Sequence, residues 1–434
     1  MNAATKNTIL FACVFAMIPT IAMFQGWNAA LFVLNMGLIS AIMALGVNLQ
    51  WGFAGLFNVG IMGFVALGGL AAVLVGMPAT PGAWQAGGFG ILAALILGAL
   101  TIGLAIFVAG RMTRGWTRNL VVLAILVVGF LVYRAIYDPS VDAVEAIEPA
   151  LTGYLGGLGL PVIIAWPVGG LFAAGAAWII GKTALGLRSD YLAIATLGIA
   201  EIIIALLKNE DWLSRGVKNV VGVPRPVPYE IDLQNNAAFV ERAAGFGFDA
   251  VTASTIYVKL LYCGLFAFVL VLLLWMAQMA LNSPWGRMMR AIRDNEVAAE
   301  AMGKDVTARH LQVFILGSAI CGIAGAMLTT LDGQLTPGTY QPLRFTFLIW
   351  VMVIVGGSGN NLGAVLGGML IYLMWDQGES IGLWVMQGIT AGLPDGSAVK
   401  AHLIESAAHM RLLTIGVLLL LVLRFSPRGL IPEK

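Results

Sequence analysis

Apolar residues run along this chain in long blocks, not in the alternation of a half-buried strand. The blocks lie near 9–24, 29–50, 53–77, 89–110, 119–137, 161–181, 191–207, 256–281, 310–331, 345–356, 361–375 and 410–423. A membrane span takes about 20 mostly apolar residues, and most blocks approach or reach that length. They are far longer than the strands of a membrane barrel. The hydrocarbon core offers no water to a backbone, so each block must satisfy its own amides as a helix. The pattern predicts an all-α, polytopic helical membrane protein with about 10–12 membrane segments, re-entrant or half helices included. The pair 345–356 and 361–375 is short for two full spans. Joined by GGSGNN, it fits two tilted spans or a re-entrant hairpin. Two longer hydrophilic segments, 208–255 and 376–407, are expected outside. Pro224, Pro226 and Pro228 give the first an irregular, extended character. The second holds a modest apolar run, Ile381 to Leu393, expected at the outer interface.

Composition excludes a soluble globule. Apolar residues make up 59% and charged residues 11%, and mean hydropathy is +0.90; soluble domains carry roughly 25% charged residues. A net charge of +2, with no basic cluster interleaved with aromatics, excludes a nucleic-acid binder. Cys13, Cys263 and Cys321 sit inside apolar blocks and read as packing residues. No His lies near another His or a Cys, so no metal site is expected. Gly175 to Thr183 reads GAAWIIGKT and ends like a phosphate-binding loop. It has one residue too many between its glycines and no strand before it, so it fails as a nucleotide cradle. No catalytic constellation and no cofactor motif is legible, and an enzyme is not expected. The N-terminal block lacks a small-residue cleavage pattern and reads as a first span.

Charge orients the blocks. Arg111, Arg114 and Arg118 follow the fourth, Lys182 and Arg188 the sixth, and Arg424 and Arg428 the last. With the stretch 283–309 after the eighth, these basic connectors fall on one side if each block crosses once, which the positive-inside rule makes cytoplasmic. The acidic connector 138–149, with Asp138, Asp142, Glu145 and Glu148, falls on the other. Both termini are then cytoplasmic.

The most conspicuous polar interruption is Ser283 to Arg309. Arg290 and Arg293 face Asp294, Glu296 and Glu300 within it. Asp294 or Asn295 suits the cap of a short helix, with Gly303 closing it in a left-handed conformation. Such a helix is either a solvated loop carrying positive-inside charge or something a soluble partner grips. Inside the blocks, Asn35, Asn48 and Asn58 are expected to bond between helices. Glu201, deep in the seventh block, is expected to point at the bundle interior or a water-filled cavity. Gly356, Gly359, Gly363 and Gly367 are spaced for one helix face, and Gly52, Gly55, Gly60, Gly63 and Gly68 follow the same logic. Small residues so spaced let helices approach closely, either as plain packing or as a face lining a pathway.

Four stretches together resemble one family. They are GVNLQWGFAGLFNVGIMGFVALGG (Gly46 to Gly69), LRSDYLAIATLGIAEI (Leu187 to Ile202), RAIRDNEVAAEAMGKDV (Arg290 to Val306), and TPGTYQPLRFTFLIWVMVIVGGSGNNLGAVLGG with the tail SPRGLIP. The chain resembles the LivM-type permease subunit of branched-chain amino acid ABC importers. The resemblance implies a single transmembrane permease domain over 1–434, whose loop 283–309 is the cytoplasmic coupling loop. It further implies a second permease subunit, two cytoplasmic ATP-binding-cassette ATPases, a periplasmic substrate-binding protein and a bacterial inner-membrane location among membrane lipid. A permease for urea or short amides, or a stand-alone channel or secondary transporter, is the alternative.

Overall fold

A computed structural model describes residues 2–149, 152–394 and 397–433. The chain is an all-α bundle. Helix α1 (Ala3–Gln25) is followed by α2 (Trp27–Val47), which runs into a π-helical turn at Asn48–Gly52. Helix α3 (Ile61–Gly76) is short, and α4 (Phe89–Arg111) and α5 (Trp116–Glu145) form a hairpin. Helices α6 (Ala165–Ala184) and α7 (Ser189–Asn209) complete the first half. Three short helices follow, α8 (Asp211–Ser214), α9 (Glu230–Gln234) and α10 (Ala237–Gly245). The long α11 (Ala250–Asn282) then leads to α12 (Pro284–Asp294) and α13 (Glu296–Ala301). Helix α14 (Val306–Asp332) precedes the pair α15 (Pro342–Gly356) and α16 (Asn361–Ile389), and α17 (Ala398–Glu405) and α18 (Met410–Phe425) close the chain.

Among the described residues nine helical segments are long and apolar enough to cross a membrane. Helices α3 and α15, at 16 and 15 residues, are shorter. At 1.5 Å per residue they reach only about 22–24 Å, less than the roughly 30 Å hydrocarbon core. The protein is a multi-pass membrane protein.

Helix α14 is the central strut, packed against α2, α3 and α6. It gets close to them because its contact positions carry little or no side chain. A Cβ on Gly325 would strike the Val65 carbonyl, and one on Gly68 would strike the Gly322 carbonyl. Without a hydrophobic drive between helices in lipid, such close contact and interhelical hydrogen bonds hold a bundle together. The α4–α5 hairpin is peripheral, with most of its side chains exposed. A small cluster around Ile91, Val144, Leu155 and Trp212 anchors it at one end.

Several expected boundaries move. The block 53–77 is not one helix, because residues 55–60 are non-helical: Gly55 takes a positive φ of 70° and the Asn58 side chain captures the Gly60 amide at 2.9 Å. The acidic connector 138–149 is helical as far as Glu145, and Arg134 pairs with Asp138 one turn on at 2.7 Å. Of the pair left open as tilted spans or a hairpin, the first member is a short helix. The second continues unbroken to Ile389 and takes up a little under half of the expected outer segment 376–407. Nor do the two glycine series each occupy one helix. Gly357 and Gly359, with φ of 119° and 79°, turn the chain between α15 and α16, leaving only Gly363 and Gly367 on α16. In the earlier series only Gly63 and Gly68 lie on α3. The segment 208–255 is irregular around its prolines, as expected. It also holds a two-residue strand, β1 (Val220–Val221), paired antiparallel with β2 (Gln334–Leu335).

The α3–α14 contact yields a prediction. Gly325→Ala should lower the unfolding temperature in detergent by overpacking, at a cost of about 1–3 kcal/mol. Gly175→Ala, whose new methyl meets nothing within 4 Å, should leave it unchanged or slightly raised. Equal melting of the two variants would contradict the close packing.

Candidate functional site

The break after α2 is buried and polar, a combination that needs complete hydrogen bonding because an unpaired buried group costs about 1–3 kcal/mol. The side chains supply it. Asn48 donates from Nδ2 to Asn361 Oδ1 at 3.1 Å and accepts the Gly359 amide on Oδ1 at 2.9 Å. Asn361 in turn donates to Gln278 Oε1 at 3.2 Å. Gln50 donates to the Phe314 carbonyl and to Ser318 Oγ, both at 3.0 Å, and accepts from Asn58 Nδ2 at 2.9 Å. Trp350 donates from its indole to the Asn58 carbonyl at 3.1 Å, and the Val59 amide donates to Thr196 Oγ1 at 3.1 Å. One irregular segment is thereby tied to α7, α11, α14, α15 and α16. Trp51 and Phe57 add ring contacts to Trp350, with centroids 4.7 and 4.6 Å away.

Beside the break lies Arg293, in the last turn of α12. Its guanidinium donates from Nη1 to the Gly52 carbonyl at 2.6 Å and to Glu433 Oε2 at 2.9 Å, and from Nε and Nη2 to Asp294 Oδ1 at 3.1 Å each. Burial works against the charge, but the hydrogen bonds it donates to Glu433 and Asp294 outweigh it and hold the guanidinium pKa above its ordinary value. Glu433 belongs to a C-terminal strap. The Leu430 and Ile431 amides donate to the Val355 and Gly356 carbonyls at 2.9 Å, and Asn360 Nδ2 donates to the Pro432 carbonyl at 3.1 Å. Arg293 therefore joins α12, the end of the α2 π-turn and the strap beneath the α15–α16 turn.

Helix α12 is amphipathic and buries Gly286, Met289 and Ile292. Helix α13 is held only lightly, with Ala299 its buried residue. Asn295 caps it, accepting the Ala298 amide at 3.0 Å, and Gly303 closes it at φ 75°. Both ends are as the sequence indicates, with Asn295 and not Asp294 as the cap. Glu296 and Glu300 are exposed, and so are two apolar side chains, Val297 (76%) and Met302 (79%). Beside the end of α12 a cleft of about 620 Å³ is lined by Arg290, Arg293, Asp294, Ser358, Arg428 and Glu433, among others.

Residues 119–423 match the family described as the permease component of branched-chain amino acid transport systems. The chain belongs to this family. It is 26% identical over 298 residues to the high-affinity branched-chain amino acid transport permease LivM of Escherichia coli, a match covering 67% of this chain and 61% of that protein. A probable LivM permease of Methanocaldococcus jannaschii is 28% identical over 280 residues, covering 64% of this chain and 70% of the relative. A probable LivH permease of the same organism is 33% identical over 127 residues, 29% of this chain and 36% of the relative. This member of the family thus spans about three-fifths of the length of the E. coli relative. No solved structure gives a significant match.

Within this family member the sequence-selected residues divide into three groups. Asn48, Asn58 and Gly359 meet at the break, where they hold the backbone in place and are buried. Gly363 and Gly367 lie against α15, each so close that a Cβ would press on the Gly356 or Met352 carbonyl. Arg290, Arg293, Asp294, Asn295, Glu296, Glu300 and Gly303 are together at α12–α13, but Arg293 is turned inward and Arg290 is only partly exposed. Glu201 departs from expectation. Helix α7 packs through Leu192, Ala193, Thr196, Ala200, Ile204 and Leu207, and Glu201, about 100° around the helix from Ala200, is exposed and turned away from that packed face. Sequence reasoning missed Gln50, Gln278, Ser318 and Glu433. Gln50, two residues from Asn48 inside an apolar block, carried a readable signal; Glu433, in the tail, carried none.

The network can be tested without any transport assay. Asn48→Ala leaves the Gly359 amide and Asn361 Oδ1 without their partner, so it should destabilise the detergent-solubilised protein by about 2–4 kcal/mol. Asn35→Ala, which removes one bond to the Lys259 carbonyl, should cost about half that. A silent Asn48→Ala variant in a thermal melt would show that the break is not held as described.

Proposed function

We propose that this chain is the transmembrane permease subunit of an ATP-binding-cassette importer for branched-chain or other hydrophobic amino acids. It forms the translocation pathway with a second permease subunit, receives substrate from a periplasmic binding protein and is driven by two cytoplasmic ATPases. It resides in a bacterial inner membrane with both termini in the cytoplasm. Family membership and the LivM-named relatives support the solute class. The orientation is supported by the basic connectors and by the Arg293–Glu433 pair, which brings the C-terminal strap to the side of α12 and α13, as the span parity requires.

One observation carries the coupling role. A short, capped helix presents Val297 and Met302 to solvent among charges, and the helix preceding it is fastened by Arg293 to the break in α2. Exposed apolar side chains ringed by charge suit a protein partner, the apolar pair supplying binding and the charges orientation. A displacement of α13 moves α12, and through Arg293 it moves Gly52 and the strap. These hold the break, and the break bonds directly to α7, α14, α15 and α16. Large rearrangements follow from small shifts where a packed element has two discrete arrangements. Glu296 and Glu300 are the charges placed to meet an ATPase groove, whereas Arg293 works from within.

Val297→Asp places a charge at the docking tip without touching a buried contact. It should reduce recovery of the ATPase subunits with the permease, and amino acid uptake, by about tenfold or more. Membrane level and melting temperature should stay as in the parent. Full uptake with bound ATPases in this variant would remove α13 as the coupling contact.

A further inference from the structure

Glu201 has no hydrogen bond and no ion pair, and it is exposed. It lies eight residues before Asn209, the end of α7, which is about 12 Å at 1.5 Å per residue. A glutamate side chain is too short to bring its carboxylate to an interface that far away. Left against acyl chains, such a group costs at least a few kcal/mol, so ionisable residues at this depth face protein or water. The bundle of this chain offers neither, because the side of α7 that packs against α3 and α6 is the other one.

The surroundings of the carboxylate decide between the two. Tyr191, Ile194 and Ile202, on the exposed side of α7 with it, are 60–69% exposed, an apolar surface unlike the wall of a water-filled passage. Gly198, one turn before Glu201, would meet nothing within 4 Å if it carried a Cβ, and Ala205, one turn after, is exposed. The carboxylate thus sits in a shallow notch between two small residues on an apolar helix face, a shape that admits another helix closely.

We propose that this face of α7 is where the second permease chain packs, and that Glu201 is met there by a hydrogen-bond donor or a cation from a helix of that chain. The proposal rests on the importer reading given above and names the contact that reading leaves open. It assigns Glu201 to subunit assembly and gives it no part in proton coupling or substrate binding.

The experiment uses the assembled complex in native membranes, with a photo-reactive benzoylphenylalanine in place of Ile202. Irradiation should give a covalent adduct that mass spectrometry identifies as this chain joined to a permease chain. Adducts to lipid, to the ATPase or to the binding protein, or none at all, would overturn the proposal. So would labelling by a photo-reactive amino acid substrate, which would open this face to the pathway. In parallel, Gly198→Leu and Glu201→Ala should lower recovery of the second permease by about tenfold while the isolated chain melts normally. Unchanged recovery in both would likewise count against it. ATPase recovery through α13 separates the two readings. ATPases bound, with no permease adduct, sinks this inference alone; no second permease and no ATPase in the complex sinks the importer reading.

Discussion

A stretch of backbone that leaves the helix inside a membrane bundle must find a partner for every amide and carbonyl it exposes, and this requirement organises the molecule. Between Gly55 and Gly60 the chain is non-helical and, apart from Gly55 and Phe57, buried among other helices. The Gly55 and Leu56 amides keep the Trp51 and Gln50 carbonyls, Thr196 accepts the Val59 amide, the Asn58 side chain accepts the Gly60 amide and Trp350 donates to the Asn58 carbonyl. Asn48, Gln50, Asn361 and Ser318 complete the network around them through their side chains. Bundles tolerate broken helices only where neighbouring groups satisfy the freed backbone in this way. The cost of a lapse is high in a low dielectric, so the network fixes the relative positions of the helices that contribute to it.

The same requirement gives the bundle a point at which force can act. A straight helix packed along its length resists displacement everywhere. A broken one has an end, and here the end is tied through Arg293 to α12, the helix that leads into the exposed α13. The strap Leu430–Glu433 completes the junction by pairing with the last carbonyls of α15 and with the same guanidinium. Helix–helix packing elsewhere is tight and glycine-mediated, notably α14 against α3 and α15 against α16. Rigid blocks meeting at one polar joint suit a protein that alternates between two arrangements.

Much of this was legible before any coordinates. Helical class and the approximate position of the spans follow from the length of the apolar blocks, which lipid imposes directly. The cap at Asn295 and the close at Gly303 follow from local chemistry that acts over three or four residues. What stayed hidden depends on tertiary context. Apolarity alone does not distinguish a helix from a buried non-helical turn, so the block 53–77 concealed the break at Gly55–Gly60. The direction of Glu201 hinges on which side of α7 meets α3, and hydropathy does not reveal that for a helix apolar on nearly all sides. Arg293 looked like a surface charge because its partners, Gly52 and Glu433, lie 241 and 140 residues away.

The central claim is that Arg293 carries motion from α13 to the break. The number of amino acids taken up per ATP hydrolysed, measured on reconstituted complex carrying Arg293→Gln, tests it most directly. The account predicts that the ATPases still dock and hydrolyse ATP while uptake per ATP falls by about tenfold, within the range of allosteric coupling energies. Uptake in the parental ratio to hydrolysis, with the guanidinium gone, would contradict it.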